Sequence, residues 1–208
     1  MILIGQFDSP FVRRVGIALK LYGLEYEHRP WSTFRDADRI APFNPLRRVP
    51  TLVLEDGEVL IESAAILDYL DERVGIAKAL MADSGVARRQ ALKTCALATG
   101  LADKAVSLVY ERALHSETSD VWIARCQGQI GSVLDVLEAD RSRRTSAFWF
   151  GESINHADVA VACALRFLRE AHAALFNDVR WPNLVAHAQR CEALPAFQAV
   201  KQEFIPPK

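Results

Sequence analysis

Residues 47–63, RRVPTLVLEDGEVLIES, limit what this chain can fold into more than any other stretch. Residues 51–54 and 58–61 are short apolar, β-branched runs, and Asp56-Gly57 between them is a two-residue hairpin signal, because both residues tolerate the positive φ of a tight turn. Pro50 lacks an N–H and suits the first position of a strand. It is also where a cis bond costs little. Such a bond would turn the carbonyl and N–H of Val49 outward. Glu62 and Ser63 precede the apolar run Ala64, Ala65, Ile66, Leu67, Tyr69 and Leu70, and so open a helix. The unpaired N–H groups of a helix start attract carboxylates. One short stretch therefore offers a backbone edge beside an anion-attracting helix end.

The rest of the N-terminal part completes a layered unit around that stretch. Residues 1–4 are nearly all apolar, as in a strand covered on both faces. Ser9 caps, and Pro10 opens, a helix that runs to about Tyr22 and stops at Gly23. Its apolar stripe is Val12, Val15, Ile17, Ala18, Leu19 and Leu21. Residues 25–29 form a second strand, and residues 30–45, with Pro30, Pro42 and Pro45, are irregular with room for a short helix. The order is βαβαββα, with a βαβ unit first and a hairpin last.

Beyond residue 84 no strand pattern remains. Helical spacing fills residues 86–115, 119–139 and 156–175, and two shorter helices divided by Pro195 occupy 181–204. The expected division is an α/β domain over 1–75, a linker over 76–85, and an all-α bundle over 86–208. At the third long helix Asn155 and Asp158 form an Asn-x-x-Asp capping box. This gives Asp158 and His156 structural work rather than chemistry.

With 208 residues, 50% hydrophobic and 25% charged, the chain can bury one or two cores. Its net charge of −1 argues against a broad nucleic-acid or membrane surface. Cys95, Cys126, Cys163 and Cys191 are far apart and make no CxxC pair, so no metal site is expected. Free buried thiols in a reducing compartment, the cytoplasm, is the expectation.

These motifs together resemble the cytosolic glutathione S-transferase family. SPFVRRVGIAL resembles the first-helix start of its serine-type members, tau-class and bacterial. NPLRRVPTLVLEDG resembles the segment through the cis-proline, ESAAILDYLDE the Glu-Ser motif, and NHADV the buried capping box. The resemblance spans essentially the whole chain. It implies a thioredoxin-like N-terminal domain and an all-helical C-terminal one, usually in a homodimer. It also implies glutathione as co-substrate, no metal, and a small hydrophobic electrophile as acceptor, in a pocket between Ser9 and the first long helices of the C-terminal domain.

The resemblance assigns roles residue by residue. Ser9 would donate a hydrogen bond to the glutathione thiolate. A thiol of ordinary pKa about 8.5 must fall by about two units to ionise at neutral pH, roughly 2.7 kcal/mol. One charged hydrogen bond supplies about 1.5–3 kcal/mol, and the helix start about 0.3–1 more. Val49 would pair its backbone with the cysteinyl part. Glu62 would take the γ-glutamyl ammonium and Ser63 its carboxylate. Arg48, with Arg35 from the irregular segment, would lie near the glycyl carboxylate. Trp31, Phe34 and Phe43 read as packing.

The departures matter as much. Residue 9 is neither Cys nor Tyr, so the omega-, beta-, alpha-, mu- and pi-type patterns fail. Both cysteines of a thioredoxin CxxC are absent, which removes dithiol chemistry. The SSxxWR start of maleylacetoacetate isomerases is missing, which lowers that reading without closing it. The alternatives are a stringent-starvation-type interaction protein, which would have no need for the intact Ser9, Val49, Glu62 and Ser63 set, and a glutathione-dependent isomerase or dehalogenase.

Overall fold

The computed structural model describes residues 1–207. Contacts group them into two compact units, one made of Met1–Asp83 and Leu194–Glu203, the other of Ser84–Ala193 and the residues from Phe204 on.

The first unit is built on β1 (Ile2–Ile4), α1 (Pro10–Tyr22), β2 (Glu27–Arg29), α2 (Ala37–Ile40), β3 (Thr51–Val53), β4 (Val59–Ile61) and α3 (Ser63–Val74). The strands lie in the order β2-β1-β3-β4. β1 runs parallel to β2 and antiparallel to β3, with Leu3 opposite His28 and Leu52, and β4 returns antiparallel to β3. Alternation along β1 sends successive side chains to opposite faces. Leu3 packs with Val12, Val15 and Leu19 of α1 and Ile66 and Leu70 of α3. Ile4 packs with Ile40 and Val53 on the other side, where Trp31 and Phe43 cover it. The two aromatic residues are thus packing, as expected from the sequence. Gly23 ends α1 in the left-handed conformation at φ 67, and its N–H bonds Lys20 O at 3.2 Å.

Three local details depart from the expectation. The hairpin does not turn on two residues: Leu54 N–H donates to Glu58 O at 2.8 Å, leaving residues 55–57 in a longer loop with Gly57 at φ 91. Asp56 Oδ1 accepts the Glu58 N–H at 3.0 Å, so the Asp serves the turn through its side chain. Second, α1 buries Arg13 and Arg14 along with its apolar stripe. Third, the last short helix, α8 (Pro195–Gln198), belongs with the first unit, and residues 201–207 are not helical.

The second unit holds α4 (Gly85–Leu114), α5 (Asp120–Ser142), α6 (His156–Ala171) and α7 (Pro182–Glu192). α6 ends four residues earlier than its apolar pattern suggests, and a 3-10 turn, Ala173–Leu175, follows. α6 is the core element, buried at nearly every position and packed on α4 and α7. All four cysteines are free and buried. Among the described residues no helix is long and apolar enough to cross a membrane.

Candidate functional site

The site is built where three connections of the first unit come together: the β1–α1 turn, the loop entering β3, and the start of α3. Gly5 is the packing point of the first two. A Cβ on Gly5 would fall 2.5 Å from Val12 Cγ2 and 2.8 Å from Val49 Cβ, and its φ is +128. Only glycine lets β1 end this close to α1 and to the residue before Pro50.

Ser9 is the N-cap of α1, at φ −67 and ψ 123. Val12 N–H donates to its Oγ over 3.4 Å, a long bond that uses a lone pair and leaves the hydroxyl proton available. Ser9 is half-buried, and Pro10 behind it is buried. Capping and donating are therefore compatible roles for one hydroxyl.

The Val49-Pro50 bond is cis. Among the described residues, neither the N–H nor the C=O of Val49 has a hydrogen-bond partner in the chain. Backbone groups are rarely left unused beside a sheet. The loop before Val49 is held by Asn44, a buried residue that the sequence did not single out. Asn44 Nδ2 donates to Arg48 O at 2.9 Å, and its Oδ1 accepts the Leu46 N–H at 3.0 Å. The Thr51 hydroxyl, also buried, donates to the same Arg48 carbonyl at 3.4 Å. Only the spacing of Asn44 before Pro45, a turn signal, hinted at this.

Glu62 departs from ordinary helix-start chemistry. It stands at φ 67 and ψ 122, a conformation that costs a non-glycine residue about 1–3 kcal/mol, and its side chain makes no capping bond. That carboxylate instead faces Arg48 at 3.7 Å, with both side chains more than half exposed. A pair this exposed is held loosely by the chain itself. Ser63, the first residue of α3, is buried. Val49, Glu62, Ser63 and Arg48 thus lie together around the edge of β3 and β4. Arg35 does not join them: it is exposed in the turn before α2, and among the described residues no hydrogen bond or ion pair ties it to the others.

A second polar cluster, in the other unit, has the outward form of a nucleophile, base and acid. His187 Nε2 lies 3.6 Å from Cys191 Sγ and 3.7 Å from Asp158 Oδ1. It is sealed, with His187 and Asp158 fully buried. Burial pushes the Cys191 thiol far above its usual range, holds Asp158 up at about 6, and depresses His187 to about 4. A thiol in that state is not a nucleophile. Asp158 is instead the acceptor of Trp149 N–H at 2.7 Å and Asn155 N–H at 2.8 Å. Both halves of the capping box are present. Among the described residues no group of three His, Cys, Asp or Glu side chains could hold a metal ion.

A mixed four-stranded sheet flanked by helices, with a cis-proline at the entry to an inner strand and an all-helical second unit, defines a thioredoxin-like protein with a helical extension. Residues 3–78 match the N-terminal domain of glutathione S-transferases, and residues 120–190 match their C-terminal domain. The uncharacterized GST-like protein YibF of Escherichia coli K12 is 31% identical over the full length of both chains. The maleylacetoacetate isomerase of Pseudomonas aeruginosa is 30% identical, covering 95% of this chain and 94% of that protein. Among solved structures, a glutathione S-transferase from Methylobacillus flagellatus with glutathione bound superimposes with a TM-score of 0.86 at 26% identity, covering 96% of this chain and 98% of that one. The chain belongs to the glutathione S-transferase family.

Proposed function

We propose that this protein is a glutathione transferase that binds glutathione in its first unit and joins the thiolate to a small apolar electrophile. One observation carries the reading: an unused strand-like backbone edge at Val49 lies beside Glu62, whose backbone stands at positive φ and whose carboxylate caps nothing. A peptide-like ligand with an ammonium, a carboxylate and its own backbone amides satisfies all of these groups at once. Val49 pairs with the cysteinyl amide, Glu62 takes the ammonium, and Ser63 takes the γ-glutamyl carboxylate. Arg48 turns from Glu62 to the glycyl carboxylate, with Arg35 as an outer contact.

The cysteinyl sulfur then lies against the Ser9 hydroxyl. The thiol gives its proton to solvent, and Ser9 Oγ–H donates to the resulting thiolate. That thiolate attacks an electrophilic carbon, forming the C–S bond, and the displaced group leaves with the electron pair. In an addition reaction the adduct takes up a proton instead. A homodimer in the cytoplasm fits this reading, since four free buried thiols suit a reducing compartment.

A second reading is isomerisation on a glutathione adduct, supported by the identity over nearly full length with the Pseudomonas aeruginosa isomerase. It shares the thiolate and releases it at the end. The test is the ultraviolet absorbance of bound glutathione thiolate as a function of pH, for the wild type and Ser9→Ala. The wild type should ionise bound glutathione about two units below free thiol, and Ser9→Ala should lose most of that shift. Superimposable curves would return Ser9 to plain capping. A panel of electrophiles and cis-alkenoic acids, each with glutathione, separates conjugation from isomerisation.

A further inference from the structure

Ser9 ends the connection between β1 and α1, residues 5–9. The chain fixes that connection at its two ends. Gly5 N–H donates to Arg29 O at 2.9 Å, His28 Nε2 donates to Gly5 O at 2.8 Å, and Ser9 N–H donates to Gln6 O at 3.2 Å. The middle is held differently. Phe7 N–H donates to the side-chain Oε1 of Gln202 at 2.9 Å, across 195 residues of sequence. The Phe7 ring stacks on His28 at 4.0 Å between centroids and lies so close over α1 that a Cβ on Gly16 would fall 2.5 Å from it. The ring contacts set where Phe7 sits, and the Gln202 bond sets how its peptide is turned.

The segment that carries Gln202 is itself anchored to α1. Arg13, 2% exposed, donates through Nε to Val200 O at 3.4 Å and through its terminal nitrogen to Phe197 O at 3.2 Å. Its guanidinium also lies 5.6 Å from the centre of the Phe197 ring. One segment, Leu194–Glu203, therefore grips the chain on both sides of Ser9, at Phe7 before it and at Arg13 after it. The intrahelical hold on the hydroxyl, 3.4 Å from Val12 N–H, is too long to fix its direction alone.

We propose that Gln202 is a positioning residue for Ser9. It acts through the peptide of Phe7, so that the hydroxyl points at the glutathione sulfur; this rests on the glutathione-transferase reading above. Rotation of the turn by a fraction of an ångström weakens a hydrogen bond to the thiolate while leaving the contacts that bind the rest of glutathione, at Val49, Glu62 and Ser63, unchanged.

Gln202→Met, nearly isosteric but without the oxygen acceptor, and Gln202→Glu, which keeps it, test this in the full chain. The measurements are the thiolate titration of bound glutathione, glutathione affinity by calorimetry, and the melting midpoint. Gln202→Met should raise the pKa of the bound thiol by about half a unit to one unit, so that turnover falls about 1.5- to threefold at pH 7, about three- to tenfold well below pH 6.5, and recovers as pH rises. Affinity should stay within about twofold, the midpoint should fall only by what one part-buried hydrogen bond contributes, and Gln202→Glu should restore most of the wild-type titration. Superimposable titrations of Gln202→Met and wild type would overturn the inference. So would an equal loss of turnover at every pH with a lowered midpoint, which is the mark of a purely structural bond. A wild type that binds no glutathione, or binds it with an unshifted thiol, would sink the functional reading as well, and the wild-type curve alone reveals that case.

Discussion

At the start of α6, Asn155 and Asp158 answer each other's backbone, and Trp149 N–H adds a third bond to the same carboxylate. At the start of α3, Glu62 caps nothing, sits at positive φ, and turns an exposed carboxylate toward Arg48. Both helices begin with an acid and a small polar residue, so sequence chemistry alone makes them look alike. The difference is closure. The α6 start is buried and its bonds end within the protein, so its free energy goes into folding. The α3 start leaves charge and backbone open and carries a backbone conformation with no local reward. A strained residue with an unspent side chain is what a binding site needs before its ligand arrives.

Breaking each start in turn should give opposite signatures. The largest effect is expected from Asp158→Ala. It strands the buried Trp149 N–H at about 1–3 kcal/mol and the part-buried Asn155 N–H as well, together more than an exposed helix cap contributes. The denaturation midpoint of the second unit should fall accordingly, while glutathione affinity in the folded protein stays put. Lost turnover with an unchanged midpoint would mean that Asp158 is a functional acid after all.

Ser9→Ala comes next. Removal of about 1.5–3 kcal/mol of thiolate stabilisation should cut neutral-pH turnover by roughly four- to fortyfold, with recovery toward alkaline pH. A uniform loss across pH would argue that Ser9 orients substrate instead. Glu62→Ala should weaken glutathione binding by about tenfold and leave the melting midpoint where it is or higher. Calorimetry with equal affinities would remove Glu62 from the site.

Glu62→Gly sharpens the contrast further. Glycine adopts positive φ freely, so the fold should gain about 1 kcal/mol even as binding weakens. A fold made less stable would mean that the Arg48 pair, and not ligand, offsets the strain. The smallest effect belongs to pH. His187 is held near 4 by burial, with the Arg141 charge adding to it, below its ordinary 6.5. Its neutral form therefore contributes stability above 6.5 that is lost as pH falls through 4. His187→Gln should be less stable than wild type at pH 7, and the gap should shrink between pH 6.5 and 4. A constant gap would mean that His187 titrates normally.

Much of this was legible in the chain. The capping box of α6, the cis-proline, the stop at Gly23 and the four buried thiols rest on residues a few positions apart, or on one residue's own chemistry, and local chemistry is what a sequence displays. Arg13 and Arg14 were not legible, because arginine on an amphipathic helix reads as surface until a partner appears, and for Arg13 the partners are Phe197 and Val200. The left-handed Glu62 was hidden because nothing about glutamate announces positive φ. Nothing in the sequence marked Gly5 as the residue that lets Val12 and Val49 approach. The hairpin misled by one residue because Asp-Gly suits two loop lengths. For Arg13 and Gly5 the missing information was a neighbour distant in sequence; for the hairpin and Glu62 it was a backbone conformation that the residue type leaves open.

The return of residues 194–203 also sets an order of events in the making of the protein. Phe7 must wait for Gln202, which lies 195 residues behind it. At about 5–20 residues per second on the ribosome, that interval is roughly 10–40 s. During it the sheet and its helices can assemble without their last strap, while the second unit emerges and folds. The turn that carries Ser9 is therefore among the last pieces to settle, and a nascent chain holding a complete sheet would still lack its finished β1–α1 corner.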